Sequence, residues 1–123
     1  AKRRAIWERY YRGLEAWAAQ HDVRLPYIPA HCEQSYHMFY MLLPSLEQRQ
    51  AFIQHLKSRG ILSVFHYLPL HLSAMGQRFG GQPGDCPITE DVSDRLVRLP
   101  FYNDLTVEEQ TLVIDVIEQF VGV

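Results

Sequence analysis

The chain has 123 residues, enough for one domain that buries about two thirds of its unfolded surface without disulfide or metal staples. Net charge is −2, from 12 basic and 14 acidic residues, and the one dense basic run is Lys2-Arg3-Arg4. That balance argues against a nucleic-acid binder, which carries a basic stripe, and no apolar run nears the roughly 18 residues that cross a bilayer. Lys2–Arg4 leads into an amphipathic segment rather than an apolar one, so no signal peptide is expected. The chain opens on Ala-Lys-Arg-Arg, without Met and already in a helical pattern, and is expected to be a segment of a longer protein. Cys32 and Cys86 are far apart and lack zinc or redox spacing, which suits two reduced thiols of a cytoplasmic protein.

In chain order, Ile6, Tyr10, Leu14 and Trp17 recur at spacings of four and three and predict a helix over residues 2–20. Trp7 and Tyr11 widen its apolar face. Pro26 and Pro29 bracket a short extended connection. The unbroken apolar run 36–43 predicts a strand buried on both faces. Ser45 and Gln48 have capping-box spacing and start a second helix, with Phe52, Ile53 and Leu56 inward and Gly60 as its stop. A second strand is expected over 61–67, then a loop over 71–88, rich in Gly and Pro. A short helix near 89–96 and an extended piece at 97–100 follow. Thr106 and Glu109 form a second capping box, and Val113, Val116, Ile117, Phe120 and Val121 share one face of the last helix. The strand–helix–strand unit at 36–67 requires a right-handed crossover if its strands are parallel, with the short strand near 97–99 beside or between them. The fold class is therefore α+β two-layer: a small sheet of about three strands with helices mainly on one face.

The chemistry-bearing residues concentrate in Phe65-His66-Tyr67-Leu68-Pro69-Leu70-His71, where a strand ends and turns at Pro69. His66 and His71 flank a strand end and its loop, a common place for a site; one structural and one solvated histidine is the bland alternative. They lack the helical spacing of a zinc pair and a nearby third ligand. Nothing marks Cys32, next to His31, as an activated nucleophile. Gly80-Gly81 follows no strand and is no phosphate loop.

Three blocks in order carry a resemblance: Tyr36-His37-Met38-Phe39-Tyr40; Gly60-Ile61 through His66-Tyr67-Leu68-Pro69-Leu70-His71; and Arg98-Leu99-Pro100-Phe101-Tyr102-Asn103-Asp104-Leu105-Thr106. Together with the leading helix they make nearly the whole chain resemble the C-terminal small domain of the DegT/DnrJ/EryC1/StrS family of nucleotide-sugar aminotransferases. The resemblance implies transfer of an amino group from glutamate to a keto-sugar nucleotide in lipopolysaccharide or O-antigen synthesis. The cofactor implied is pyridoxal 5′-phosphate, held as a Schiff base on a lysine. In the family that lysine belongs to the larger N-terminal domain. Residues 1–123 then form a single small domain that holds no cofactor and is inactive alone. The implied setting is a cytoplasmic homodimer, with this domain covering the cleft of its own N-terminal domain.

The resemblance implies that His71, His66 and Tyr67 contact the nucleotide-sugar, His71 foremost. His37 matches a family histidine too, but its place in the expected strand points to a structural role, and Tyr102 and Asn103 are expected to shape a turn. Two rival readings remain. One is a regulatory or ligand-binding α+β module without catalytic parentage. The other is the small domain of an aminotransferase that acts on amino acids, which places an arginine here to fork onto a carboxylate. Arg59, Arg95 and Arg98 are available, but none lies in the 66–71 segment.

Overall fold

The apolar spacing of the first twenty residues forms helix α1 (Lys2–Gln20), with Ile6, Tyr10, Leu14 and Trp17 all buried. The computed structural model describes residues 1–122. After α1 come β1 (Tyr40–Leu42), α2 (Leu46–Ser58), a single 3-10 turn (Leu70–Leu72), α3 (Ala74–Arg78), α4 (Pro87–Arg95), β2 (Leu96–Arg98) and α5 (Val107–Glu118). Among the described residues, no helix is long and apolar enough to cross a membrane.

The helix boundaries follow local chemistry. Ser45 Oγ accepts the Gln48 amide at the start of α2. At its end the Gly60 amide donates to the Lys57 carbonyl and the Ile61 amide to the Leu56 carbonyl. That is the Schellman pattern, with Gly60 in the left-handed region at φ 75° and Leu56 and Ile61 both buried. Thr106 and Glu109 complete the reciprocal capping box of α5. Val121 departs from the expected apolar face: α5 ends at Glu118, and Val121 is exposed while Phe120 stays in the core.

The sheet is smaller than expected. The 36–43 run forms a strand only over Tyr40–Leu42, with one further hydrogen bond on each side, from the Leu99 amide to the Phe39 carbonyl and from the Leu43 amide to the Arg95 carbonyl. Tyr36, at φ 49°, lies outside extended backbone at the start of the run. Burial there alternates instead of covering both faces: Phe39, Met41 and Leu43 are in the core, and Tyr40 and Leu42 are half-buried. β1 and β2 are antiparallel, with Tyr40 opposite Arg98, Met41 opposite Val97 and Leu42 opposite Leu96. Residues 61–67 form no strand; their one link to the sheet is a bridge between Val64 and Arg98. Both flanking amides on that edge of β2 are lost to it. Pro100 has no N–H, and the Leu96 amide donates to Val92 to close α4. Val64 pairs antiparallel with β2, so the 61–67 segment runs in the direction of β1, with β2 between them. The α+β class holds, with a two-stranded sheet in place of three strands.

The 71–88 region is also more ordered than its glycines and prolines suggest, since it contains the 3-10 turn and α3, capped by Ser73 Oγ on the Gly76 amide. α4 starts at Pro87, two residues before the expected helix; proline suits this first position, where its missing N–H is not needed.

One face of the sheet, with Met41, Val97 and Leu99, joins Phe52 and Leu56 of α2 and Val113, Val116 and Ile117 of α5 in the core. Polar groups tie α1 to the C-terminal third of the chain. Tyr10 Oη donates to the Pro100 carbonyl at 2.8 Å and Trp17 Nε1 to the Phe120 carbonyl at 3.2 Å. The fully buried Gln110 donates to the Ile6 carbonyl and accepts from Arg9. Burial pushes the Tyr10 hydroxyl well above its ordinary range, so it remains a donor. Tyr10→Phe strands the Pro100 carbonyl and is expected to cost roughly 1–2 kcal/mol. Urea unfolding should show a lower midpoint at unchanged slope, and an unchanged midpoint would mean that water replaces the hydroxyl without loss.

Candidate functional site

The second face of the sheet carries Tyr40, Leu42, Leu96 and Arg98, all half-buried, and this face supports the candidate site. Beyond the Val64 bridge the chain leaves the sheet and crosses toward α4. Arg49, only 7% exposed, fixes that crossing. Its Nη1 donates to the Ser93 carbonyl at 2.7 Å, and Ser93 Oγ donates to the Tyr67 carbonyl at 3.0 Å. Its guanidinium also lies over the Phe65 ring, 5.6 Å from the centroid. A cation on a carbonyl of the last turn of α4 complements the helix dipole.

Two cavities result. An apolar groove of about 570 Å³ lies between His66, Tyr67 and Leu70 on one wall and Ile88, Val92 and Leu96 on the other. A second cavity, of about 580 Å³, is lined by Trp7, His37, Tyr40, His66 and Leu96. His66 and Leu96 belong to both. His66 Nδ1 is buried without a hydrogen-bond partner, the kind of polar atom that a ligand or water would satisfy. Burial foremost, then the positive charge of Arg98 and the neighbouring His37, hold the His66 imidazole below its ordinary range and favour the neutral ring. Tyr67 is 68% exposed, with its ring 4.7 Å from that of His66 and under the Arg98 guanidinium at 5.7 Å.

His71 is placed differently. It is not among the residues that line the groove, and its Nε2 lies 2.8 Å from Glu90 Oε1. The Glu90 carboxylate also accepts the Gly84 amide at 2.8 Å and the Cys86 amide at 3.4 Å. Two glycines let the chain close around this pair. A Cβ on Gly76 would sit 2.0 Å from the Leu70 carbonyl oxygen, and one on Gly81 2.2 Å from that of His71. The structure thus brings His66 and Tyr67 together on one groove and gives His71 a separate carboxylate partner.

Sequence reasoning passed over Glu90 as a site residue and offered Arg98 only as one of three arginines available in a rival reading. Alternation around the buried Val97 and Leu99 puts Arg98 on the opposite face. Pro87 at a helix start would have placed Glu90 in the first turn, within reach of the preceding loop amides. His37 is exposed and bonded to Ser35 Oγ at 2.8 Å. The Leu105 amide donates to the Tyr102 carbonyl, the turn expected there. Both cysteines are free and exposed. No group of three or more His, Cys, Asp or Glu with metal-binding geometry occurs among the described residues.

The two lysines do not fit a Schiff-base role. Lys2 is 76% exposed beside Asp104 at the start of α1, and Lys57 is exposed on the last turn of α2. A lysine that forms a Schiff base needs desolvation or a neighbouring cation to lose its proton, and it needs a pocket for the ring it holds.

The model of the DegT/DnrJ/EryC1/StrS aminotransferase family matches residues 1–118. The chain is 30% identical over 114 residues to UDP-N-acetyl-3-dehydro-alpha-D-glucosamine 3-aminotransferase of Acidithiobacillus ferrooxidans, covering 88% of this chain and 29% of the relative. It is 26% identical over 123 residues to dTDP-3-amino-3,4,6-trideoxy-alpha-D-glucose transaminase of Micromonospora megalomicea subsp. nigra, covering 98% and 32%. The crystal structure of S. venezuelae DesV in complex with a ketimine intermediate matches with a TM-score of 0.85 and 27% identity, over 96% of this chain and 30% of that one. The chain spans about a quarter to a third of the length of the curated relatives it matches.

Two outcomes follow from this geometry. Incubated alone with pyridoxal phosphate and borohydride, the chain should give no stoichiometric adduct on Lys2 or Lys57, as read by peptide mass. Glu90 supplies the second. The His71 hydrogen bond foremost, then the Gly84 amide, hold its carboxyl below the ordinary carboxylate range. A carboxyl depressed in the folded state contributes stability that is present above its unfolded pKa and lost as pH falls through the folded one. The 70–90 region should therefore loosen only in acid below the usual carboxylate range. His71→Ala should move the Glu90 titration, followed by carboxyl NMR, upward; an unmoved midpoint would leave the depression to the loop amides.

Proposed function

Because the chain belongs to the DegT/DnrJ/EryC1/StrS aminotransferase family, we propose that it is the C-terminal small domain of an enzyme that transfers an amino group from glutamate to a keto-sugar nucleotide. The observation that carries the substrate class is the groove beside His66, whose buried Nδ1 lacks a partner, together with relatives named for nucleotide-sugar amination. The cofactor in this reading is pyridoxal 5′-phosphate, which acts as electron sink for the amino transfer when bound. Neither lysine of this chain fits its Schiff base, so we place the cofactor in an N-terminal domain that this one covers, within a cytoplasmic homodimer.

In this reading the chain's own residues bind and orient the sugar nucleotide. A neutral His66 exchanges a hydrogen bond with a sugar hydroxyl, Tyr67 offers a ring face and a hydroxyl, and Arg98 contributes positive charge that suits a diphosphate. His71, pinned by Glu90, adds a contact from the end of the same segment. We further take the product to be an amino sugar of lipopolysaccharide or O-antigen. The three sequence blocks are similar to those of the transaminase that forms TDP-4-amino-4,6-dideoxygalactose. Both relatives described above carry a 3-amino designation, so turnover of 4-keto against 3-keto nucleotide sugars by the full-length enzyme separates the alternatives.

One observation favours a second reading. Arg98 lies across Tyr67, and the small domain of an amino-acid aminotransferase is expected to offer an arginine that forks onto a carboxylate. The test is His71→Ala in the full-length enzyme, with single-turnover spectra following the two half-reactions separately. The keto-sugar half-reaction should fall by about one to two decades, the effect of a lost hydrogen bond to a charged or tightly held partner, and the glutamate half-reaction much less. Equal losses would point to a folding or cofactor defect, and no loss would make His71 a structural residue.

A further inference from the structure

We propose that Glu90 is a positioning residue: it fixes the orientation and tautomer of the His71 imidazole, so that the ring meets a ligand through Nδ1 alone. The proposal rests on the reading of His71 as a sugar-nucleotide contact and adds the group that prepares it. Oε1 of Glu90 lies 2.8 Å from His71 Nε2, and a carboxylate there accepts the Nε2 proton. The neutral ring then carries its lone pair on Nδ1, which has no hydrogen-bond partner among the described residues.

The carboxylate is itself held. Its Oε1 also receives the Gly84 and Cys86 amides, and Oε2 receives Gly84 at 3.1 Å. The His71 backbone is held from the other side by Gly76 and Gly81, neither of which leaves room for a Cβ. With the side chains of His71 and Glu90 only 15% and 24% exposed, the ring has one nitrogen committed and one available. An acceptor at Nδ1 suits a hydroxyl donor of a sugar better than a phosphate oxygen, which is an acceptor too. Support of this kind, in which one polar group orients another, sets the precision of a binding constellation.

The experiment has two arms. In the first, long-range ¹H–¹⁵N NMR of this chain reads the tautomer of neutral His71. The Nε2–H form should dominate in the native chain and in Glu90→Gln, whose carboxamide oxygen can still accept all three donors. In Glu90→Ala the two ring nitrogens should move toward the averaged shifts of free imidazole. An unchanged tautomer in Glu90→Ala would overturn the proposal. So would loss of the preference in a folded Glu90→Gln, because an acceptor and not a charge is what fixes the ring. If Glu90→Ala does not fold, the Gln variant alone decides.

The second arm measures the full-length enzyme. Glu90→Ala should raise KM for the keto-sugar nucleotide about tenfold, within the range for one lost hydrogen bond, and leave the glutamate half-reaction within about twofold. Added to His71→Ala it should cost nothing more, since it acts through that ring. Additive losses would mean that Glu90 serves the loop alone and would overturn the proposal. If His71→Ala has no effect while the tautomer still depends on Glu90, the ligand role of His71 fails and the positioning of its ring stands.

Discussion

β2 has a single amide to offer on its outer edge, that of Arg98, and much of the site follows from this. Leu96 spends its N–H on the last turn of α4, and Pro100 has none. A third strand therefore cannot zip along β2; residues 61–67 touch it once, at Val64, and then depart. Their departure opens the groove between Tyr67 and α4 and leaves the half-buried face of the sheet accessible from that side. The same proline also anchors α1, since its carbonyl receives the buried Tyr10 hydroxyl. One residue thus limits the sheet and locks α1 to it.

Helices were easier to read in this sequence than strands. The 3.6-residue spacing in α1, the cap at Ser45, the box at Thr106 and the Gly60 stop depend on residues near one another in sequence, and each is found in the structure, with the Ser45 box reduced to the bond from the Gln48 amide to the Ser45 hydroxyl. The limits of the sheet depend on where distant amides are spent, and periodicity in 36–43 or 61–67 carries no information about Leu96 or Pro100. Order in the 71–88 region was hidden for a related reason. Gly76 and Gly81 are there for close backbone approach rather than for flexibility, and the two uses look alike in a string of letters.

The candidate site divides the same way. His66, Tyr67 and His71 were recognisable as a set because they fall in one short segment at an expected strand end. Their partners come from elsewhere in the chain: Arg98 through the β-bridge, Ser93 and Glu90 from α4, and Arg49 from α2. Family membership accounts for the fold and for the aminotransferase setting, while the packing around His66 and His71 suggests how the two histidines differ. One lines two cavities and has a buried nitrogen without a partner, and the other has a nitrogen already committed to a carboxylate.

The placement of the two tryptophans gives the chain an internal optical reporter. Trp7 lines the cavity shared with His37 and His66, in contact with the rings of Tyr11, Tyr36 and Phe39. Trp17 sits in the core against Phe52, its indole nitrogen bonded to the Phe120 carbonyl. Emission from the first senses what enters the cavity, and emission from the second senses whether the core is intact. A chain with Trp17→Phe would glow from the cavity wall alone and one with Trp7→Phe from the core alone, so that two unlabelled single-tryptophan chains report on the two places separately.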